Sequence, residues 1–223
     1  LTGVDTRALT RHLRDKGAMN AFIVAPAPAN AAEAAKIVQK LRSHPPFGDK
    51  DLVAQVTCRE AYDWTQGSGE RQAQWNVPSV KANGKEPLVV VMDLGVKHNM
   101  LRQLVSRGCR VKVVPAFTSA ADILKHNPQG VLLTNGPGDP AATGAYSVPV
   151  IKALIEKNVP TFGICLGHQM LALAVGAKTK KMKQGHHGAN HPVKDFTTNK
   201  VEIVSMNHGF AVDRESLPKN AVE

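Results

Sequence analysis

Gly163-Ile164-Cys165-Leu166-Gly167 places a thiol between two glycines, each two residues away. The apolar run Val159 to Ile164 precedes it, and Leu171, Leu173, Ala174 and Val175 continue behind it with helical spacing. Cys165 is therefore expected where a buried strand turns into a helix, a position that exposes a nucleophile above the sheet. The glycines let the backbone turn sharply. Unpaired N–H groups at the helix N-terminus favour a thiolate, and the N–H of Leu166 is placed to receive a developing oxyanion.

A second stretch, Asn135-Gly-Pro-Gly-Asp-Pro140, holds two glycines and two prolines in six residues. Such a rigid turn lets backbone approach a ligand closely, and Gly136 could supply a second oxyanion donor; a plain tight turn would use the same residue types. The stretch has no Gly-Lys-Ser/Thr, and no helix is expected directly behind it, which argues against a phosphate loop. A cysteine nucleophile usually works with a base. Of the nine histidines, His168 is expected to be structural, one helical turn from the cysteine. His186, His187 and His191 read as hydrogen-bonded loop residues, with no Cys, Asp or Glu at metal-ligand spacing, so no metal is expected. His208 could line a site or cap a strand.

The elements that must position these residues follow from hydrophobic rhythm. Leu88 to Asp93, Val111 to Val114, Gly130 to Thr134 and Val159 to Ile164 read as strands. Helices are expected between them, around Met100 to Val105, Ser119 to His126 and Val148 to Ile155, with Pro149 near a first turn. This alternation specifies an α/β fold, a doubly wound, mostly parallel sheet whose ligands bind beyond the carboxyl ends of the strands. Glu202 to Met206 reads as a further strand. Before Leu88, helices are expected from Asp5 to Gly17 and from Ala31 to Leu41, with a short strand at Ala21 to Ala25. Residues 45 to 87 read as loops and linker. The expected organisation is part of a smaller α/β N-terminal domain over 1–76, a linker over 77–87, and the sheet domain over 88–223.

Composition limits the alternatives. With 43% hydrophobic and 21% charged residues the chain can bury a sizeable core. No apolar run approaches the length of a membrane span and no signal peptide opens the chain, so a cytoplasmic protein without membrane contact is expected. Cys58, Cys109 and Cys165 are widely separated and odd in number, which suggests neither a disulfide framework nor zinc. The net charge of +10 comes with only 4% aromatics and scattered basic residues, so nucleic-acid binding is not expected. The chain begins with Leu and stops at Glu223 where a strand could start, so it reads as a piece of a longer protein.

These residues also carry a family resemblance. Gly163-Ile-Cys165-Leu-Gly-His-Gln169 resembles the nucleophile motif of class I (triad-type) glutamine amidotransferases, and Asn135 to Pro140 resembles their oxyanion loop. Asp5-Thr-Arg-Ala-Leu-Thr-Arg, Ala61-Tyr-Asp-Trp-Thr-Gln66, Gly185 to Lys194 and Asn207-His-Gly-Phe-Ala-Val-Asp213 extend the likeness along the chain. Together they resemble the small, glutaminase subunits of carbamoyl-phosphate synthases of the bacterial type. The resemblance implies that Cys165 attacks the side-chain amide of glutamine to form a glutamyl thioester, with N–H groups of Gly136 and Leu166 as oxyanion donors. It assigns Gln169, Gly138, Asn207, Gly209 and Phe210 to the amino-acid end of the substrate. It also implies a partner, the large synthetase subunit, which receives ammonia and uses ATP, Mg²⁺ and bicarbonate to make carbamoyl phosphate for arginine and pyrimidine synthesis; no cofactor is expected in this subunit.

One departure stands out. That family places its triad histidine and glutamate in a His-Pro-Glu motif, but here His191-Pro192 is followed by Val193. A family serine that contacts glutamine is also absent. Truncation at both ends is the expected explanation of both, and the chain alone is expected to be nearly inactive. The competing readings are a glutaminase of another synthase, such as one making anthranilate or GMP, and a non-catalytic regulatory subunit.

Overall fold

The computed structural model describes residues 3–45, 50–69 and 84–222. The chain divides into two compact units, Leu1–Asp49 with Lys181–Phe210 and Lys50–Lys180 with Ala211–Glu223.

In the first unit, α1 (Thr6–Lys16) starts where the Asp5 side chain accepts the N–H of Ala8 and ends at Gly17, whose φ of 94° only glycine adopts readily. Helix α2 (Ala31–Ser43) is capped by Asn30, which accepts the N–H of Glu33. The strand expected at Ala21 to Ala25 does not form. Those residues run without a sheet partner, and Ile23 is 93% exposed. A strand is stabilised by its ladder, and apolar character alone supplies none.

The second unit holds the sheet. Helix α3 (Val53–Val56) and strand β1 (Tyr62–Trp64) come first, within the stretch read from sequence as loop and linker. There follow β2 (Leu88–Asp93), α4 (His98–Ser106), β3 (Arg110–Pro115), α5 (Ala120–Lys125), β4 (Gly130–Leu133), α6 (Pro140–Glu156), β5 (Thr161–Gly163) and α7 (Leu166–Ala174). The sheet order is β1-β3-β2-β4-β5, with β1 antiparallel and every other pairing parallel. This is the expected doubly wound α/β sheet with an added edge strand. Successive residues of β2 alternate between two cores, Val90 and Met92 packing with Leu133, Ile151, Leu154 and Met170, while Val91 packs with Leu101, Val113 and Leu132. A strand covered by helices on both faces needs the unbroken apolar run seen in the sequence.

Residues 50–64 belong to this unit through specific bonds. Asp51 accepts from the N–H of Val53 at 3.1 Å, Thr143 Oγ1 at 3.3 Å and the Tyr146 hydroxyl at 3.1 Å. Asp93 accepts from the N–H of Cys58 at 2.8 Å. The domain boundary expected at 77–87 lies mostly outside the described residues; the sheet unit itself begins at Lys50.

Helix α6 departs from expectation. It starts directly behind the Asn135–Pro140 loop, with Asp139 capping Ala141 and Pro140 in the first turn, and it carries Pro149 in its interior. Proline removes one backbone donor and usually breaks a helix; here Ile151 and Leu154 are fully buried, and that packing outweighs the lost bond. After α7 the chain forms a two-stranded ribbon, β6 (Thr179–Asp195) paired with β7 (Lys200–Val212), separate from the main sheet. His186, His187 and His191 thus stand on a strand and not in a loop.

Candidate active site

Cys165 occupies the turn between β5 and α7 with φ 54° and ψ −108°, a backbone conformation that non-glycine residues rarely adopt. Three contacts hold it there. Ile164 N–H donates to Leu133 O at 3.0 Å, and Gly167 N–H donates to Thr134 O at 3.0 Å, so the turn is pinned to the end of β4. Gln169 N–H donates to Cys165 O at 3.1 Å and begins the helix. Neither flanking glycine admits a side chain. A Cβ at Gly167 would fall on the carbonyl of Leu133, and one at Gly163 would fall on the backbone of Gly167 and His168. The elbow expected from Gly-x-Cys-x-Gly is present, and its glycines are required by close backbone crossing.

Opposing influences act on the thiol. Cys165 is half-buried, and burial pushes its pKa up; the N–H of Leu166 and, more weakly, the Lys97 ammonium oppose this shift. The helix N-terminus thus contributes as expected, but loss of solvent outweighs it. A nucleophile in this position needs a base to take its proton when it attacks.

The Asn135–Pro140 loop lies against the elbow. A Cβ at Gly136 would fall on Leu94 O and stand 2.7 Å from Leu166 Cδ2, so this backbone runs against the first residue of α7. Asn135 clamps it to the loop after β2, donating Nδ2 to Gly95 O at 2.9 Å and accepting the N–H of Lys97 at 3.1 Å. Gly138 has φ 94°, and a Cβ there would stand 2.6 Å from Lys50 O and 3.0 Å from Leu52 N. That contact alone requires a glycine at 138. Gln169 is 6% exposed and sits one helical turn behind Cys165.

Cys165, Leu166, Gln169, Gly136 and Gly138 therefore share one end of the parallel sheet. Asn207, Gly209 and Phe210 lie within β7, in the other compact unit, and not at a strand end. There the side-chain oxygen of Asn207 meets Nδ1 of His187 at 2.8 Å, and the space beside Gly209 is open. Nearby, the His186 ring stands 5.3 Å from that of His191 and 5.0 Å from that of His208. Among the described residues no three of His, Cys, Asp or Glu are grouped to hold a metal ion, and no helix is long and apolar enough to cross a membrane.

Sequence reasoning missed Thr134, Asn135 as a clamp, and Lys97. Each follows a strand end, the only signal available; apart from the bond between the neighbours Thr134 and Asn135, their partners lie tens of residues away in sequence.

The fold and elbow define a class of protein. A family model described as glutamine amidotransferase class-I matches residues 90–223, well over half of the chain, and the chain belongs to that family. A crystal structure of a GMP synthase protein from Thermoplasma acidophilum matches with a TM-score of 0.50 at 24% identity, covering 60% of this chain and 70% of that one, a likeness of fold.

More particular relatives match along the entire sequence. The chain is 54% identical over 223 residues to the carbamoyl phosphate synthase small chain of Bradyrhizobium diazoefficiens, spanning 100% of this chain and 55% of that protein. It is 52% identical over 221 residues to the small chain of Escherichia coli K12, spanning 99% and 56%. The chain thus spans about half the length of the curated relatives it matches.

Proposed function

We propose that this chain carries the nucleophile end of a glutaminase that serves a carbamoyl-phosphate synthase. One observation supports this above all: the strained Cys165 elbow stands at the carboxyl edge of a parallel sheet with the Gly136 backbone packed on Leu166 beside it. The whole-chain likeness to carbamoyl phosphate synthase small chains favours that synthase over the makers of anthranilate or GMP.

In this reading Cys165 Sγ adds to the carboxamide carbon of glutamine and its proton passes to a base. The oxygen takes up negative charge facing the N–H groups of Gly136 and Leu166. Collapse, with the proton returned from that base to the nitrogen, expels ammonia and leaves a glutamyl thioester, which water then hydrolyses to glutamate and free thiol. Gln169 and Gly138 hold the amino-acid end of the substrate. Ammonia passes to a large synthetase subunit, where ATP, Mg²⁺ and bicarbonate are used, in a cytoplasmic pair of subunits feeding arginine and pyrimidine synthesis. The base is assigned to no residue of this chain, because none of its histidines stands in a His-Pro-Glu motif.

The test is covalent capture. A diazo-ketone analogue of glutamine is expected to add one equivalent of label to the protein, mapped to Cys165 by mass spectrometry and competed by glutamine. Labelling that ignores glutamine, or that falls equally on Cys58 and Cys109, would favour a regulatory scaffold.

A further inference from the structure

Thr134 is fully buried at the end of β4 and is hydrogen-bonded through every polar group it has. Its N–H donates to Met92 O at 3.3 Å, and its carbonyl accepts the N–H of Gly167 at 3.0 Å. Its hydroxyl accepts the N–H of Leu94 at 2.9 Å and donates to the carbonyl of Asn135 at 2.9 Å. That last bond falls on a particular peptide unit, the one whose other end is the N–H of Gly136.

A peptide unit is planar, and in the trans form its C=O and N–H point in opposite directions. The Asn135–Gly136 bond is trans. Holding the Asn135 oxygen toward the buried hydroxyl therefore turns the Gly136 N–H away from the core. Gly136 has no side chain to resist rotation of this plane, and a Cβ there would collide with Leu94 O and Leu166. The donor's direction thus depends on the hydroxyl, which is fixed by Leu94 at its other side. The same residue accepts from Gly167, so one side chain and its own backbone tie the end of β2, the donor loop and the nucleophile elbow together.

We propose that Thr134 is a positioning residue for catalysis, its hydroxyl aiming the Gly136 N–H at the oxyanion that forms on the glutamine carboxamide. This rests on the glutaminase reading given above. Nothing in the chemistry requires threonine itself; serine supplies the same hydroxyl, and valine the same shape without it. Oxyanion donors matter only when charge develops, so a misdirected donor lowers kcat while leaving ground-state binding intact.

The experiment compares Thr134→Val, Thr134→Ala and Thr134→Ser with the wild type in the complete enzyme that carries this chain. Steady-state glutaminase kinetics, glutamyl-enzyme trapped by acid quench with radiolabelled glutamine, and alkylation of Cys165 by iodoacetamide are measured. Removing an oxyanion donor outright typically costs about 10²- to 10³-fold, so loss of its alignment in T134V and T134A is expected to lower kcat by about tenfold or more. KM should stay within about twofold, and T134S should keep nearly the full rate. Iodoacetamide, which is displaced at a saturated carbon and builds no oxyanion, should alkylate all four proteins at one rate. T134A, which inserts no extra methyl group, serves if T134V does not fold.

The proposal is overturned if T134V or T134A keeps the wild-type kcat, if T134S loses as much as they do, or if iodoacetamide alkylation slows in step with acylation. A wild type that alkylates normally yet traps no glutamyl-enzyme overturns the glutaminase reading itself. A wild type that acylates alongside an unimpaired T134V overturns only the role of Thr134.

Discussion

The backbone N–H of Gly167 donates to the carbonyl oxygen of Thr134 at 3.0 Å, at a crossing so close that a Cβ on Gly167 would collide with the carbonyl of Leu133. The end of one strand thus holds the helix behind the nucleophile. Gly167→Ala and Gly163→Ala are expected to force the elbow apart. Overpacking a fitted site costs about 1–3 kcal/mol, and both variants should lower the midpoint of urea unfolding and abolish glutamine-competed labelling of Cys165. A variant of normal stability that still labels would show that the crossing tolerates a methyl group.

Burial holds the Cys165 thiol above its ordinary range, and the Lys97 ammonium opposes that shift. Raising pH should therefore increase thiolate and speed iodoacetamide alkylation, with a midpoint above that of a free thiol. Lys97→Met removes the opposing cation, so its pKa should rise further and its alkylation at any pH below that midpoint should be slower. A midpoint below that of free cysteine, measured by stopped-flow alkylation against pH, contradicts both statements.

Asp51 accepts from Val53, Thr143 and Tyr146 and so fastens residues 50–53 to α6. Asp51→Ala leaves those donors without a buried acceptor, at a cost of about 1–3 kcal/mol. Because Gly138 lies against Lys50 and Leu52, the donor loop should loosen as well. Hydrogen exchange is the suitable measurement, with faster exchange expected at Asp139, whose N–H donates to Lys50 O at 3.2 Å. Unchanged exchange there would separate the two segments.

A positioned acid or base contributes about 10²- to 10⁴-fold. The 223-residue polypeptide, whose sequence lacks His-Pro-Glu, should therefore release ammonia from glutamine slower than the complete enzyme by about that factor. A coupled ammonia assay decides; a normal rate would mean that one of the nine histidines here serves as base.

Much of the sheet was legible because local pattern carries it. Leu88 to Met92 is apolar without a break, the run that a strand covered on both faces uses. The strand β1 was not legible, since Tyr62–Trp64 is three residues long and exists only by pairing with β3. The expected strand at Ala21 to Ala25 failed for the converse reason: apolar residues were present and a partner was not. Residues 207–210 lie within β7 because the ribbon ladder extends past the apolar segment that marked it.

By itself the sequence determined the alternating parallel architecture and the elbow, because period and glycine sterics act over a few neighbouring residues. The upward shift of the Cys165 thiol and the anchoring of the Thr134 hydroxyl were decided only by the tertiary structure. The first depends on how much solvent the fold removes, and the second on Leu94, 40 residues away, whose N–H fixes the Thr134 hydroxyl from its other side.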